Sequence, residues 1–250
     1  MSKKKRLLKK QIKDGIILQE KRETDDKSPV VSQKDKISSP LSIIKRELTE
    51  KQRRFIELAL DNSTKMMLVS GPSGTTKTYL AVLAALMLMN QKKISDIVYV
   101  RSIVESADVK MGTLPGEKDD KISPYRQPLM DKLDELLPKA DVQHLTKEQR
   151  VEGLPVGYLR GLNWNAKGII GDEMQNCTRK EIITLMTRTG EFSKVFLLGD
   201  PMQTDIKTHS GFKEVFNLFN DEESKTHGIY TFEFTEDDIL RSALVKFIEI

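Results

Sequence analysis

The stretch GPSGTTKT, residues 71–78, has the residue types and spacing of a loop that wraps phosphate groups. It follows an apolar run and precedes an apolar helix, which gives the order strand, glycine-rich loop, helix. In such loops, backbone N–H groups and the helix N-terminus converge on phosphate oxygens. Lys77 would reach the β- and γ-phosphates, and the Thr78 hydroxyl would hold Mg²⁺. The pattern predicts a nucleotide-binding segment made of Gly71, Pro72, Ser73, Gly74, Thr75, Thr76, Lys77, Thr78 and Tyr79.

Thr76 departs from the usual pattern, in which a second glycine precedes the lysine. A β-branched residue resists left-handed backbone angles, so the loop must either keep a helical φ here or carry about 1–3 kcal/mol of strain. Strain of that size would weaken nucleotide affinity by about one to two orders of magnitude. Alternatively, the Thr76 hydroxyl adds a hydrogen bond to the phosphate. The sequence leaves both alternatives open.

Acidic and amide side chains follow two other apolar runs. GIIGDE ends with Asp172 and Glu173, and KVFLLGDPMQ ends with Gln203. Asp172 would bind Mg²⁺ together with Thr78, directly or through water, and Glu173 would orient or deprotonate the attacking water. Gln203 would sense the γ-phosphate or the water. For each segment taken alone, the alternative is a charged strand end or an ordinary Gly-Asp-Pro turn.

Composition limits the class of protein. Of the 250 residues, 38% are hydrophobic and 31% charged, which is typical of a soluble globular protein. The best candidate for a membrane span, residues 80–89, has about half the required length, so we expect no membrane partner. Cys177 is the single cysteine, which excludes internal disulfides and a zinc-finger cluster and fits a reducing cytoplasm.

Positive charge is concentrated at the N-terminus. Residues 1–22 carry nine basic side chains against two acidic ones, a net charge of +7, so the remainder of a chain with net charge +4 sums to −3. Residues 1–40 are predicted to be a flexible basic arm and linker, followed by one domain over 41–250. Lysines on a flexible segment suit a nucleic acid partner, and a solubilising tail is the alternative.

Short β-rich runs alternate with helical segments. The runs KMMLVSG, DIVYVRS, GIIGDE, KVFLLGD and IYTFEFT are predicted strands, and TYLAVLAALMLM is a helix apolar on every side. LTEKQRRFIELAL is a short amphipathic helix capped by Thr49, and DDILRSALVKFIEI is a closing helix. The alternation predicts an α/β fold with a mostly parallel sheet covered by helices on both faces. The proline-containing segment at about 106–165 is predicted to be an irregular insertion, with helix candidates near PLMDKLDELL and TKEQR.

Seven segments, in the same order, resemble the PhoH-like ATPases, whose P-loop domain is similar to the first RecA-like domain of superfamily 1 helicases. They cover most of the chain after residue 49. The family's D-E-A-Q-N appears as residues 172–176, its G-D-x-x-Q as 199–203, and its R-P-x-V-E as 101–105 with the proline replaced. The remaining segments are the phosphate loop, residues 111–116, residues 121–129, and residues 158–163.

The resemblance implies a RecA-like P-loop fold, ATP and Mg²⁺ as cofactors, ATP hydrolysis, and a bacterial or phage source. RNA or single-stranded DNA is the implied partner. Because the chain has no room for a second RecA-like domain, we expect helicase-like work only from a homo-oligomer such as a ring.

Two more site residues come from the resemblance. Gln52 matches a glutamine that reads the adenine edge in helicase-like relatives, but Thr49 and Gln52 also form a helix capping box pattern. Arg241 matches a late arginine that would act as an arginine finger or γ-phosphate sensor, within its own chain or on a neighbouring subunit. An exposed arginine on an amphipathic helix is the alternative for Arg241.

Three functions therefore compete. The first is an ATPase that couples hydrolysis to RNA or single-stranded DNA. The second is a P-loop small-molecule kinase whose lid is the segment 106–165, although Asp172, Glu173 and Gln203 favour water activation. The third is a nucleotide-binding scaffold whose turnover is suppressed by Thr76.

Overall fold

The computed structural model describes residues 37, 39–102, 118–159, 161–204, 206 and 210–240. Most of the predicted arm, the motif residues at 103–117, Arg160, and Arg241 with the rest of the predicted closing helix lie outside them. The described helices and strands, in chain order, are α1 (Glu50–Leu60), β1 (Met66–Ser70), α2 (Lys77–Asn90), β2 (Asp96–Arg101), α3 (Lys118–Leu136), α4 (Lys139–Lys147), β3 (Val151–Pro155), β4 (Lys167–Asp172), α5 (Arg179–Met186), β5 (Lys194–Gly199), α6 (Phe212–Phe219), α7 (Glu222–Thr226) and β6 (Ile229–Glu233).

The six strands form one parallel sheet in the order β3-β2-β4-β5-β1-β6. The predicted α/β class and the RecA-like P-loop arrangement are confirmed. All five predicted strands are present as β1, β2, β4, β5 and β6. Strand β1, which leads into the phosphate loop, and β4, which ends at Asp172, lie on either side of β5. The carboxyl ends of these strands therefore meet at one edge of the sheet.

Two apolar cores cover the two faces of the sheet. Alternate side chains of β5 point to opposite faces of the sheet. Phe196 lies in the first core, together with residues of α1 to α4, and Leu197 lies in the second core, together with residues of α5 and α6. Helix α2 is buried almost all round, as its sequence predicts. Ile37, placed in the predicted arm, is 4% exposed and belongs to the first core, so the folded part begins before residue 41. Among the described residues, every helix is too short or too polar to cross a membrane.

The described part of the segment 106–165 is more regular than predicted, and the helix candidate near PLMDKLDELL forms the second half of α3. It contains the 19-residue helix α3, helix α4 and the edge strand β3. Helix α3 runs through Pro124 and Pro128, and burial of its apolar side chains, Leu129 and Leu133 among them, offsets the backbone hydrogen bonds that the prolines remove. The helix lies directly on β3, where a Cβ at Gly153 would stand 2.7 Å from the helix backbone.

Candidate functional site

The backbone of the phosphate loop, residues 71–78, turns through left-handed conformations. Gly74 has a φ of 82°, and Thr76, the residue before α2, has φ 63° and ψ 20°. Thr76 therefore keeps the conformation that a glycine adopts freely, at a cost of about 1–3 kcal/mol for a β-branched side chain. Of the two backbone alternatives for this residue, the structure has the strained one. Its hydroxyl accepts a hydrogen bond from Gln52 Nε2 at 2.8 Å.

Lys77 extends back across the loop that contains it. Its Nζ donates to the Gly71 and Pro72 carbonyl oxygens, at 2.7 and 2.8 Å. The ammonium group is thereby held at the centre of the turn formed by the loop. This places a fixed positive charge beside the N-terminus of α2, whose free N–H groups also favour an anion.

Thr78 and Asp172 are in direct contact, although they lie on α2 and at the end of β4. Thr78 Oγ1 is 3.2 Å from both carboxylate oxygens of Asp172. The Tyr99 hydroxyl on β2 also donates to this carboxylate, and the Glu173 N–H donates to it at 3.1 Å. Burial, and then the Asp172 charge, raises the pKa of Tyr99, so its hydroxyl stays protonated and acts as a donor.

Glu173 lies beside this contact in a left-handed conformation, with φ 55°. Its carboxylate accepts a hydrogen bond from Gln175 Nε2 at 2.6 Å, and Arg101 approaches it at 3.8 Å. Gln175 Oε1 in turn accepts from the Asp200 N–H at 3.0 Å, and the Asp200 carboxylate accepts from the Ser73 N–H at 3.1 Å. A continuous hydrogen-bonded path, the Ser73–Glu173 path, thus joins the phosphate loop to Glu173.

A cavity of about 410 Å³ opens over these groups. Side chains from the phosphate loop, the end of β4 and the segment after β5 line it, including Gln203. Lys132 and Glu135 of α3 form a wall that the sequence did not predict. The Leu240 N–H donates to the Gly74 carbonyl at 3.3 Å, which brings the residue before Arg241 to the loop.

Comparison with known proteins assigns the family. The family model for PhoH-like protein matches residues 44–250. The chain is 33% identical to a PhoH-like protein of Mycobacterium bovis over 203 residues, covering 80% of this chain and 56% of that one. It is 32% identical to a PhoH-like protein of Bacillus subtilis, covering 82% and 63% of the two chains, and 30% identical to protein PhoH of Escherichia coli, covering 74% and 52%. The chain belongs to the PhoH-like family.

PhoH proteins are a family of P-loop ATPases, so the resemblance seen in the sequence is confirmed. The chain spans a little over half the length of the Mycobacterium bovis relative. Within this PhoH-like domain, the predicted residues Lys77, Thr78, Asp172 and Glu173 lie together with Gln203 around one cavity. Gln52 forms the capping box with Thr49 that its spacing predicts, and it contacts the loop through Thr76.

Several residues of this site are not predicted from the sequence. Gln175 was visible within the family's D-E-A-Q-N segment, but its link to Asp200 depends on two strand ends meeting in space. Tyr99 looked like any apolar residue of a buried strand. Lys132 and Glu135 lie on the predicted helix candidate near PLMDKLDELL, but their position beside the cavity depends on how α3 packs in the fold.

Proposed function

We propose that this PhoH-like chain binds Mg·ATP in the 410 Å³ cavity and hydrolyses it to ADP and phosphate. The contact between Thr78 and Asp172 carries the proposal. A hydroxyl on the phosphate-loop helix lies 3.2 Å from a carboxylate at the end of another strand. Family membership supports nucleotide binding, since PhoH proteins are P-loop ATPases.

The phosphate loop binds the triphosphate through its backbone. Left-handed angles at Gly74 and Thr76 turn N–H groups toward the inside of the loop, where they can donate to phosphate oxygens. Lys77 exchanges its bonds to the Gly71 and Pro72 carbonyls for bonds to phosphate. An ammonium already held within the loop needs little reorganisation to do so, which favours binding.

The residues present fit Mg²⁺ bound with the nucleotide. The described residues contain no group of three or more His, Cys, Asp or Glu side chains able to hold a metal by themselves. Thr78 and Asp172 supply two oxygen-bearing side chains, so phosphate oxygens and water must complete the six ligands that Mg²⁺ requires. Thr78 and Asp172 would hold the ion, Asp172 directly or through water, and the ion would neutralise charge on the phosphates.

Hydrolysis requires an attacking water, and we propose that Glu173 and Gln203 activate and orient it. Glu173 accepts a proton from the water while the water oxygen bonds to the γ-phosphorus. At the same time the bond between the γ-phosphorus and the bridging oxygen breaks, and ADP leaves. The hydrogen bond from Gln175 holds the Glu173 carboxylate in one orientation. Gln203 lies on the cavity wall, where its amide can orient the water. Arg241 is proposed to stabilise the charge of the transition state.

We further propose that hydrolysis is coupled to RNA or single-stranded DNA in the cytoplasm, by a homo-oligomer. The nine basic residues among positions 1–22 support a polyanionic partner. The carboxyl edge of the sheet, where the cavity lies, leaves hydrophobic side chains such as Met202 and Tyr158 exposed at 87% and 62%. Exposed apolar side chains beside a site suit contacts with bases or with another subunit.

Phosphate release by the purified chain, with Mg·ATP and no added acceptor, tests the proposal. We expect release in the wild type, stimulated by single-stranded RNA or DNA, and its loss in Lys77→Ala. Absence of release would favour a kinase, which needs an acceptor. If Thr76→Gly raises turnover by about tenfold or more, strain at Thr76 suppresses hydrolysis and the wild type is closer to a nucleotide-binding scaffold.

A further inference from the structure

Gln52 connects the start of α1 to the phosphate loop. Its side chain is nearly buried, with the residue 5% exposed. Gln52 Oε1 accepts a hydrogen bond from the Thr49 N–H at 2.9 Å, while Gln52 Nε2 donates to Thr76 Oγ1 at 2.8 Å. Both ends of the amide are therefore engaged by the protein itself, one by the helix cap and the other by the loop.

Thr76 lies between Gln52 and the cavity. Thr76 belongs to the cavity wall, whereas Gln52 is not among the described residues that line it. To read an adenine edge, a glutamine offers its carbonyl to N6 and its amide hydrogen to N7. In this chain the same two groups are directed at Thr49 and Thr76.

Thr76 is also the residue that most needs support. Its left-handed backbone is unfavourable for a β-branched side chain, and such conformations persist only where surrounding contacts hold them. The hydrogen bond from Gln52 fixes the Thr76 side chain, while the Thr49 backbone N–H holds the other end of the Gln52 amide. A glycine at this position would need no such support, but it would leave the Gln52 amide without this acceptor.

We propose that Gln52 is a positioning residue for the phosphate loop and not a reader of the nucleobase. The Gln52–Thr76 pair, bonded through Nε2 and Oγ1, holds the loop in its phosphate-binding shape. The inference rests on the proposed function and specifies its substrate class. Gln52 contributes to the affinity for any nucleoside triphosphate, because it acts on the phosphates through Thr76, and it contributes nothing to discrimination between adenine and guanine.

Equilibrium binding of ATP and GTP to four proteins tests this: wild type, Gln52→Ala, Thr76→Gly and the double variant. Gln52→Ala should weaken both nucleotides by the same factor, about 3- to 10-fold, as expected for one lost hydrogen bond. In the Thr76→Gly background the same change should cost less than about twofold, because the pair no longer exists. A loss confined to ATP, or an equal loss in both backgrounds, would overturn the proposal.

Thr49→Val is the matched control, since it removes the hydroxyl that caps α1 but leaves the contact between Gln52 and Thr76 in place. We expect nucleotide affinity to stay within twofold of wild type. A loss as large as that of Gln52→Ala would assign the effect to the helix end and refute the pair.

Hydrogen exchange of peptides covering residues 71–78, in protein without nucleotide, gives a second readout. Gln52→Ala should speed exchange there, and Thr49→Val should not. Equal exchange in Gln52→Ala and wild type would contradict the proposal. If the wild type binds neither nucleotide, the proposed function fails, while the exchange result still decides whether Gln52 holds the loop.

Discussion

Asp172 receives three hydrogen bonds from the protein. Thr78 Oγ1 at 3.2 Å and the Glu173 N–H at 3.1 Å come from the site itself, and the third donor is the buried Tyr99 hydroxyl on β2. A carboxylate held in this way has little freedom to rotate, which suits a group that must meet a cation in one geometry.

Tyr99→Phe should therefore weaken Mg²⁺ binding while leaving the fold intact. The substitution removes only the hydroxyl, so Asp172 loses a donor and the core keeps its volume. We expect the Mg²⁺ concentration for half-maximal ATP turnover to rise about 3- to 10-fold. Tyr230→Phe, which removes a hydroxyl 3.3 Å from Ser63 Oγ, is the control. An unchanged Mg²⁺ requirement in Tyr99→Phe would show that Asp172 needs no such support.

Gln175→Glu tests the Ser73–Glu173 path. The new carboxylate can still accept from the Asp200 N–H, but it cannot donate to Glu173 and would repel it across 2.6 Å. We expect kcat for ATP hydrolysis to fall at least about tenfold with KM little changed, since Glu173 acts on the water and not on ATP binding. Gln127→Glu makes the same chemical change at an exposed amide that donates to Asp131, and should have no effect. A change in KM with kcat unchanged would show that Glu173 does not act in the chemical step.

The sequence predicted residues whose role follows from local spacing. Lys77, Thr78 and Asp172 stand at fixed positions in two short motifs, and the structure brings the two segments together. Tyr99 could not be predicted from the sequence, because its contact with Asp172 depends on the register of β2 against β4. Thr76 was recognised as unusual, but the partner of its hydroxyl could not be read from the chain.

Lys194 joins three elements. From the start of β5, its ammonium donates to the Asp61 carbonyl after α1 and to the Thr64 carbonyl before β1. Burial lowers the pKa of Lys194 to about 8 from 10.5, with repulsion from Lys93 adding to the shift and Asp61 opposing it. A charged lysine is thus held in a partly desolvated junction.

This shift makes stability depend on pH. Between pH 8 and 9 the unfolded chain still binds a proton at Lys194 that the folded chain has released, so the free energy of unfolding should rise with pH in this window. Above pH 9 Cys177 opposes the rise, because burial raises its pKa from 9.0 to about 12 and the unfolded thiol loses its proton first. Over this one-unit window the contribution of Lys194 is about 1 kcal/mol. Urea denaturation at several pH values should show this rise in wild type and lose it in Lys194→Met. Lys213→Met, at an exposed position, should keep it, and an identical slope in Lys194→Met would contradict the assignment.

Elements with strong local signals were predicted, and those that depend on tertiary contacts were not. The five apolar runs became strands, and the apolar segment after the phosphate loop became the buried helix α2. The edge strand β3 contains Gly153 and Pro155, which weaken its signal, and it exists because it pairs with β2 and lies under α3. Only the second half of α3, near PLMDKLDELL, gives a helix signal in the sequence, because prolines interrupt the first half.

Charge is divided along the whole molecule, with +7 in residues 1–22 and −3 in the remainder. A folded domain of slightly negative charge would repel nucleic acid on average, so attraction must come from the arm or from local groups. Residues 1–36 of the arm lie outside the described residues, and the role of the arm stays a prediction from the sequence.

Deleting residues 1–22 should weaken binding of single-stranded RNA and reduce its salt dependence. If about four lysines contact phosphates, the slope of log K against log salt should become shallower by about 3. Turnover of ATP without nucleic acid should stay within about twofold of the full chain, because the cavity is built from residues after 70. Equal RNA affinity and an equal salt slope in the two proteins would contradict a role of the arm in RNA binding and would favour a solubilising tail.

The proposed ATPase requires above all that Thr78 and Asp172 share a cation beside the phosphate loop. Measuring ATP affinity as a function of Mg²⁺, for wild type, Thr78→Val and Asp172→Asn, tests it directly. We predict that Mg²⁺ strengthens ATP binding to the wild type and that either substitution removes most of this gain. The same Mg²⁺ dependence in all three proteins would contradict the claim.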